Sequence, residues 1–180
     1  LDVSRITAGQ VVLRRKKVVL RDIPQPAVEA VRTSNPEANI SVDVPDDLDL
    51  VADPTRLEQM VGNLLSNAVK YSPKGDSVEI SSAVADGEVV IKVRDHGIGI
   101  LAASQGAIFE RFAKPAHGPD TQASGTGLGL AISRELVERM GGTLSLESVH
   151  RDEAGGDGAH GSTFIVRLPL AQMDQRSAAE

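Results

Sequence analysis

The stretch NLLSNAVKY at residues 63–71 is followed along the chain by DHGIG at 95–99, IFERF at 108–112 and GTGLGL at 125–130. Any one of these four blocks would be a weak signal, because Asn, Asp and Gly are common turn residues. All four in this order, within so short a region, are hard to obtain by chance. Together the four blocks predict one shared ligand site.

The composition limits what the chain binds. Its 180 residues are the usual size of one domain. Lys and Arg number 19 against 25 Asp and Glu, a formal net charge of -6. This balance argues against nucleic-acid partners, because proteins that bind nucleic acid present a basic groove or face to the phosphates. The absence of Cys excludes disulfides and thiolate metal sites, and the four histidines lack metal-ligand spacing. With no apolar run for a membrane span and no signal segment, we expect a soluble, cytoplasmic chain.

The order of predicted elements indicates an α+β fold. Strands are predicted within 11–23 and over 39–44, 78–84, 88–93, 143–149 and 162–168. Helices are predicted over 27–33, 54–70, 103–110 and 130–140. This interleaving predicts a two-layer α/β sandwich, with a mixed, mostly antiparallel sheet and helices packed on one face.

The predicted helix over 54–70 carries two different stripes. Asn63, Asn67 and Lys70 share a narrow polar stripe, whereas a broad neighbouring stripe is apolar. The apolar stripe consists of Leu57, Met60, Val61, Leu64, Leu65 and Ala68. An amide oxygen from Asn67 suits Mg²⁺, which keeps its waters and takes few protein ligands, and Lys70 supplies positive charge for phosphates. The alternative is that these polar residues form an ordinary exposed face.

Asp95 and the glycines predict further contacts with a nucleotide. The Asp95 carboxylate can accept a hydrogen bond from the exocyclic amine of adenine, where guanine has an acceptor instead. Gly97 and Gly99 let the backbone approach a flat ring. The glycines of the block at 125–130 supply N–H groups and a positive helix end for phosphates. A Rossmann or Walker context is missing, so those nucleotide folds are disfavoured.

The four blocks resemble the N box, first glycine box, F box and second glycine box of the catalytic ATP-binding domain of bacterial sensor histidine kinases, the Bergerat fold. The resemblance covers roughly residues 11–170. Residues 1–10 resemble the end of that family's dimerisation helix hairpin, and 171–180 are expected to form a tail. The cofactors it implies are ATP and Mg²⁺.

For the N box, the resemblance implies that Asn67 ligates Mg²⁺. Asn63 and Lys70 would lie near the phosphates and take part in catalysis. Tyr71 would pack beside the base.

For the remaining boxes, the resemblance implies that Asp95 holds the adenine amine and that Thr163 supports Asp95 through water. Arg111, as a catalytic residue, and Lys114 would face the terminal phosphate. Residues 113–124 would form a mobile lid over ATP. Further nucleotide contacts are implied for Gly97, Gly99, Ile100, Thr126, Gly127, Leu128, Gly129 and Leu130.

The chain departs from the family pattern in several places. Leu101 and Ala103 replace a common proline and acidic residue, and His117 is the only basic residue of the lid past Lys114. No histidine stands in a phosphoacceptor context. Related ATPases of the superfamily carry a glutamate general base where this chain has Asn63, so transfer to a protein nucleophile is favoured over rapid hydrolysis.

The leading hypothesis is therefore the catalytic half of a two-component histidine kinase. Its partners would be its own dimerisation domain, which carries the accepting histidine, and the receiver domain of a response regulator. The full-length protein would be a homodimer and could be membrane-anchored. Alternatives are a non-catalytic nucleotide- or regulator-binding scaffold of the same fold and an anti-sigma-type serine kinase.

Overall fold

The computed structural model of the chain describes residues 12–113, 127–155 and 158–170. Its strands are β1 (Lys16–Val19), β2 (Asn39–Asp43), β3 (Asp49–Ala52), β4 (Ser77–Ala85), β5 (Glu88–Asp95), β6 (Thr143–Val149) and β7 (Gly161–Pro169). Its helices are α1 (Gln25–Ser34), α2 (Pro54–Tyr71), α3 (Ala102–Gln105) and α4 (Gly129–Arg139). A 3-10 turn, Leu20–Asp22, follows β1.

The main sheet has five strands in the order β2-β4-β5-β7-β6. β2 pairs with β4 in parallel, and the other three pairings are antiparallel. β1 and β3 form a separate antiparallel pair. The main apolar core packs α1, α2 and α4 against the sheet, which confirms the predicted α+β sandwich with a mixed, mostly antiparallel sheet. Within the described residues, no helix is both long and apolar enough to cross a bilayer.

Helix α2 forms the centre of the helical layer. It begins after Asp53, whose side chain accepts a hydrogen bond from Arg56 N, and Pro54 occupies the first turn, where no N–H is needed. Its buried residues are Leu57, Met60, Val61, Leu64, Leu65 and Ala68, so the predicted apolar stripe is confirmed. The helix ends at Tyr71, before Ser72 and Pro73 break the pattern.

Side chains facing the helices line up across the sheet in rows. In one row Ile80 lies opposite Val93, Val93 opposite Phe164, and Phe164 opposite Leu146. All four contribute to the core. The neighbouring row, nearer the end of β5, is polar, and it builds the site described below.

The structure differs from the sequence predictions in three places. β3 was not predicted, because its four residues are too few to display a period. Within 11–23 the strand is limited to Lys16–Val19, and the 3-10 turn Leu20–Asp22 follows it. The helix predicted over 103–110 is the shorter α3, Ala102–Gln105, and the chain continues from Gly106 to Phe112 as turns and a bend.

Replacing Asp53 with alanine is expected to destabilise the fold by about 1–2 kcal/mol, the cost of a lost N-cap. Asp53 is 5% exposed, and its second oxygen also accepts a hydrogen bond from Arg14 N at 2.9 Å. Urea unfolding of Asp53→Ala measures the loss, with Asp47→Ala as the exposed control. An equal effect of both substitutions would contradict this role.

Candidate functional site

The polar row at the end of β5 consists of Asp95, Ser162 and Ser148. Asp95 lies opposite Ser162, and Ser162 lies opposite Ser148. Directly opposed residues project to the same face of an antiparallel sheet. These three side chains therefore lie on the face that packs against the helices, at the point where the apolar core gives way to a polar site.

The Asp95 carboxylate is almost fully buried, with 5% of the residue exposed. Its Oδ1 accepts hydrogen bonds from Gly97 N at 2.9 Å and Ser162 N at 3.2 Å. Burial raises the pKa of Asp95, while the two backbone hydrogen bonds and the charge of His96 act in the opposite direction. Because both N–H groups are on Oδ1, Oδ2 keeps the capacity to accept from an amine.

The register corrects the prediction for Thr163. Thr163 lies opposite Arg94 on β5 and Glu147 on β6, so it projects to the other face of the sheet from Asp95. Ser162 is the residue beside the carboxylate. The sequence pointed to the correct segment, the start of β7, but to the wrong hydroxyl. Side chains alternate between the two faces of a sheet, so an error of one residue places the side chain on the opposite face.

The hydroxyls of Ser148 and Ser162 are 2.9 Å apart. Ser148 Oγ also lies 2.9 Å from the carbonyl oxygen of Gly161 and accepts from Ile100 N at 2.8 Å. A carbonyl only accepts, so the Ser148 proton is directed to Gly161 and Ser162 donates to Ser148. Ser162 Oγ then retains the capacity to accept a hydrogen bond.

The first glycine box leaves no room for side chains at two positions. A Cβ on Gly97 would lie 2.2 Å from the carbonyl oxygen of Tyr71, at the end of α2. Gly99 has a φ of +72°, and a Cβ there would lie 2.0 Å from the carbonyl oxygen of Val149. The box is therefore in direct backbone contact with both α2 and β6.

Side chains from outside the box hold the segment that follows it. Gln105 Nε2 donates to the carbonyl oxygens of Ile100 and Ser148 at 2.9 and 3.0 Å. The carboxylate of Glu153 accepts from Ala102 N at 3.2 Å. Gln105 and Glu153 thus stabilise the turn in which Leu101 and Ala103 depart from the family pattern.

Asn63 connects α2 to the second glycine box. Its Nδ2 donates to the carbonyl oxygen of Gly129 and to Ser133 Oγ, both at 3.2 Å. Asn67 lies one turn further along α2 and is half-buried. Lys70 Nζ lies 5.1 Å from the centre of the Tyr71 ring. Asn63 therefore lies on the side of α2 that faces α4, and Asn67 and Lys70 follow it along the helix at helical spacing. The predicted contacts of Asn67 and Lys70 with magnesium and phosphate stay predictions.

The first turn of α4 has no capping side chain at its N-cap position. Leu128 occupies the N-cap position and makes no side-chain capping hydrogen bond, so the first N–H groups of α4 lack the usual cap. Gly127, just before it, has a φ of +67° and accepts from Phe112 N at 2.9 Å. Gly129 thus lies beside Asn63, and the nucleotide contacts expected for Gly127, Leu128, Gly129 and Leu130 stay predictions.

The F box packs against the core through one phenylalanine and exposes the other. Phe109 meets Phe164 edge to face, with 6.3 Å between ring centres, and Arg134 lies over its ring. Phe112 is 70% exposed. Arg111 is also exposed and lines an open groove with the outward face of α4, so its predicted contact with the terminal phosphate stays a prediction.

Lys114, Thr126 and residues 114–124 of the predicted lid lie outside the described residues. Among the described ones, sequence reasoning missed Ser148, Ser162, Gln105 and Glu153. They come from β6, β7, α3 and the β6–β7 loop, and their only sequence signal is the alternation that places Ser148 and Ser162 on one sheet face.

Comparison with known proteins agrees with this geometry. Residues 52–172 match the family described as histidine kinase-, DNA gyrase B-, and HSP90-like ATPase. The chain is 37% identical over 187 residues to the virulence sensor protein BvgS of Bordetella bronchiseptica, covering 99% of this chain and 14% of BvgS. It is 35% identical to the histidine protein kinase DivJ of Caulobacter vibrioides, covering 94% of this chain and 28% of DivJ. It thus spans a small part of these relatives.

Two solved structures have the same fold. The mycobacterial sensor histidine kinase MprB superimposes with a TM-score of 0.74 and 27% identity, covering 87% of this chain and 97% of that one. Full-length ShkA, solved in complex with AMPPNP, also gives 0.74 and 27%, covering 94% of this chain and 34% of ShkA. The chain belongs to the histidine kinase-, DNA gyrase B- and HSP90-like ATPase family, and within it is a catalytic ATP-binding domain of the sensor histidine kinase type.

Proposed function

We propose that this domain transfers the γ-phosphoryl group of ATP to a histidine on its own dimerisation domain, for relay to a response regulator. The observation that carries the proposal is the junction at Asn63. This side chain joins the helix bearing Asn67 to the uncapped end of α4. Asp95, the proposed acceptor for adenine, lies near the C-terminal end of the same helix, because Gly97, two residues after it, packs against the Tyr71 carbonyl.

In this proposal the base is read by Asp95. Its Oδ2 accepts from the adenine amine, and Ser162 supports the same edge of the base directly or through water. Gly97, Gly99 and Ile100 line the base pocket, and Tyr71 packs beside it. Guanine presents an acceptor where adenine presents the amine. With guanine bound, the buried Asp95 carboxylate would face another acceptor and lack a hydrogen-bond donor, which disfavours guanine.

The phosphates lie between α2 and α4. The N–H groups at the start of α4 and the ammonium of Lys70 bind phosphate oxygens, and Lys114 and Arg111 bind the terminal phosphate. The amide oxygen of Asn67 suits Mg²⁺ that already has phosphate and water ligands. Bound magnesium neutralises phosphate charge during transfer.

The proposed domain limits rest on the resemblance to the catalytic domain of sensor histidine kinases. Residues 11–170 would form the catalytic domain, 1–10 the end of the dimerisation hairpin, and 171–180 a tail. The full-length protein would act as a homodimer in the cytoplasm, with or without a membrane anchor.

Asn67→Ala is expected to remove the magnesium-dependent part of ATP affinity, because it deletes the one protein oxygen proposed for the metal. Titration calorimetry with and without Mg²⁺ measures this part. Ser66→Ala, at an exposed neighbouring position of α2, is the matched control. The same magnesium dependence in Asn67→Ala and the unmodified chain would refute the assignment.

Asp95→Asn is expected to weaken ATP binding by about tenfold or more, the difference between a hydrogen bond to a charged group and one to a neutral group. The amide oxygen of asparagine still accepts from Gly97 and Ser162, so the fold is retained. Calorimetry with ATP and GTP measures the loss of adenine preference.

Stability separates this effect from misfolding. The pKa of Asp95 is raised in the folded chain, so the folded state holds its proton more tightly and stability falls as pH rises through that pKa. Asp95→Asn removes this penalty. Without nucleotide, its melting temperature at pH 7 should equal or exceed that of the unmodified chain, with an advantage that shrinks at low pH; a lower value would assign Asp95 to the fold instead.

The unmodified chain is expected to hydrolyse ATP far more slowly than about 1 per second, the lower end for ordinary enzymes, because Asn63 cannot act as a general base. A separately supplied dimerisation hairpin from the same protein should become labelled from γ-labelled ATP. The hairpin with its accepting histidine replaced by glutamine is the control. Fast turnover by the chain alone would favour an ATPase, and ATP binding without labelling would favour a scaffold.

A further inference from the structure

His160 lies beside the first glycine box and has no role in the site described above. Its Nδ1 is 2.6 Å from the carbonyl oxygen of Gly97, and the residue is half-buried. A carbonyl oxygen only accepts hydrogen bonds, so the proton lies on Nδ1. Both the neutral ring with this proton and the imidazolium provide the donor, so the contact does not depend on the charge of the ring.

The peptide groups of Gly97 are held from two sides. Gly97 N donates to Asp95 Oδ1 at 2.9 Å, and Gly97 O accepts from His160. Without a side chain, Gly97 is positioned only through its backbone, and its N–H is one of the two that orient the Asp95 carboxylate. These two groups belong to the two peptide planes that meet at the Gly97 Cα, so a displacement of that Cα would change both hydrogen bonds.

The residues after His160 complete the same arrangement. A Cβ on Gly161 would lie 2.2 Å from the carbonyl oxygen of Asp95, so the two backbones are in close contact there. Ser162 N then supplies the second hydrogen bond to Asp95 Oδ1. Residues 160–162 thus lie alongside residues 95–97 and contact them. Of these three residues, His160 contacts the glycine box through its side chain.

We propose that His160 is a positioning residue for base selection. By holding the Gly97 carbonyl, it restrains the Gly97 Cα between the two peptide planes and with it the N–H that orients Asp95, and so sharpens the preference for adenine over guanine. This inference rests on the proposed function, because it assigns Asp95 to the base.

Two substitutions of nearly equal size test the proposal. In His160→Asn, the amide Nδ2 occupies the place of the imidazole Nδ1 and can donate to Gly97. His160→Leu has the same branching and no charge, but no donor. Ala159→Ser, at the exposed preceding position, is the control for the loop.

Calorimetric titrations with MgATP and MgGTP provide the measurement. We expect His160→Asn to bind MgATP within about twofold of the unmodified chain and His160→Leu about three- to tenfold more weakly, the range for one lost hydrogen bond. The ratio of ATP to GTP affinity should fall only in the leucine variant. General destabilisation would weaken both nucleotides equally, so an unchanged ratio, or equal behaviour of the two variants, overturns the proposal.

A spectrum of the unmodified chain gives an independent measurement that does not rely on a variant folding. Nitrogen-15 NMR of the neutral imidazole should place the His160 proton on Nδ1, the less common tautomer. A proton on Nε2 overturns the inference while leaving the proposed function intact. Failure of the unmodified chain to bind MgATP overturns the proposed function and this role together.

Discussion

The burial of the Asp95 carboxylate is the constraint on which the rest of the site depends. A charged group taken from water is costly unless it is hydrogen-bonded, and here two backbone N–H groups are directed at one oxygen. The first N–H comes from Gly97, where the chain turns back after β5. The second comes from Ser162, because β7 begins beside the end of β5 at Gly161. The glycines at both places allow backbone to contact backbone. Both N–H groups orient the carboxylate through Oδ1, so Oδ2 keeps the capacity to accept a hydrogen bond from the proposed base.

This arrangement joins the two halves of the site into one body. Gly97 touches the end of α2 at Tyr71, and Asn63, two turns earlier in α2, holds the start of α4. A ligand with an adenine end and a phosphate end would therefore contact elements that share α2 as a common support. A rigid support of this kind preserves the distance between base and phosphate, which loops alone would not fix.

The parts of this architecture that follow from local chemistry were predictable from the sequence. The six buried residues of α2 follow from helical spacing, its start from Asp53 and Pro54, and the β4–β5 hairpin from Asp86 and Gly87, both of which have positive φ. The identity of the residue whose hydroxyl lies beside Asp95 could not be predicted from local chemistry. Choosing Ser162 over Thr163 requires the register between β5 and β7, a long-range property that no local pattern contains.

The turn after the first glycine box illustrates the same limit. Leu101 and Ala103 weaken its local signal, yet the turn forms because Gln105 and Glu153 supply hydrogen bonds from α3 and the β6–β7 loop. Glu153 is about fifty residues away along the chain. Such long-range compensation becomes visible only when the partners are seen together.

Asn63 shows how the packing of the domain bears on its chemistry. Its amide donates to Gly129 O and Ser133 Oγ, and Ser133 is fully buried. A glutamate, the residue of the resembling ATPases, has no N–H to donate and would place negative charge against the Gly129 carbonyl. The same substitution that supplied a base for water would thus disturb the start of α4, where phosphates are proposed to bind. The slow hydrolysis and the phosphate site proposed for this domain would therefore both depend on the amide of Asn63.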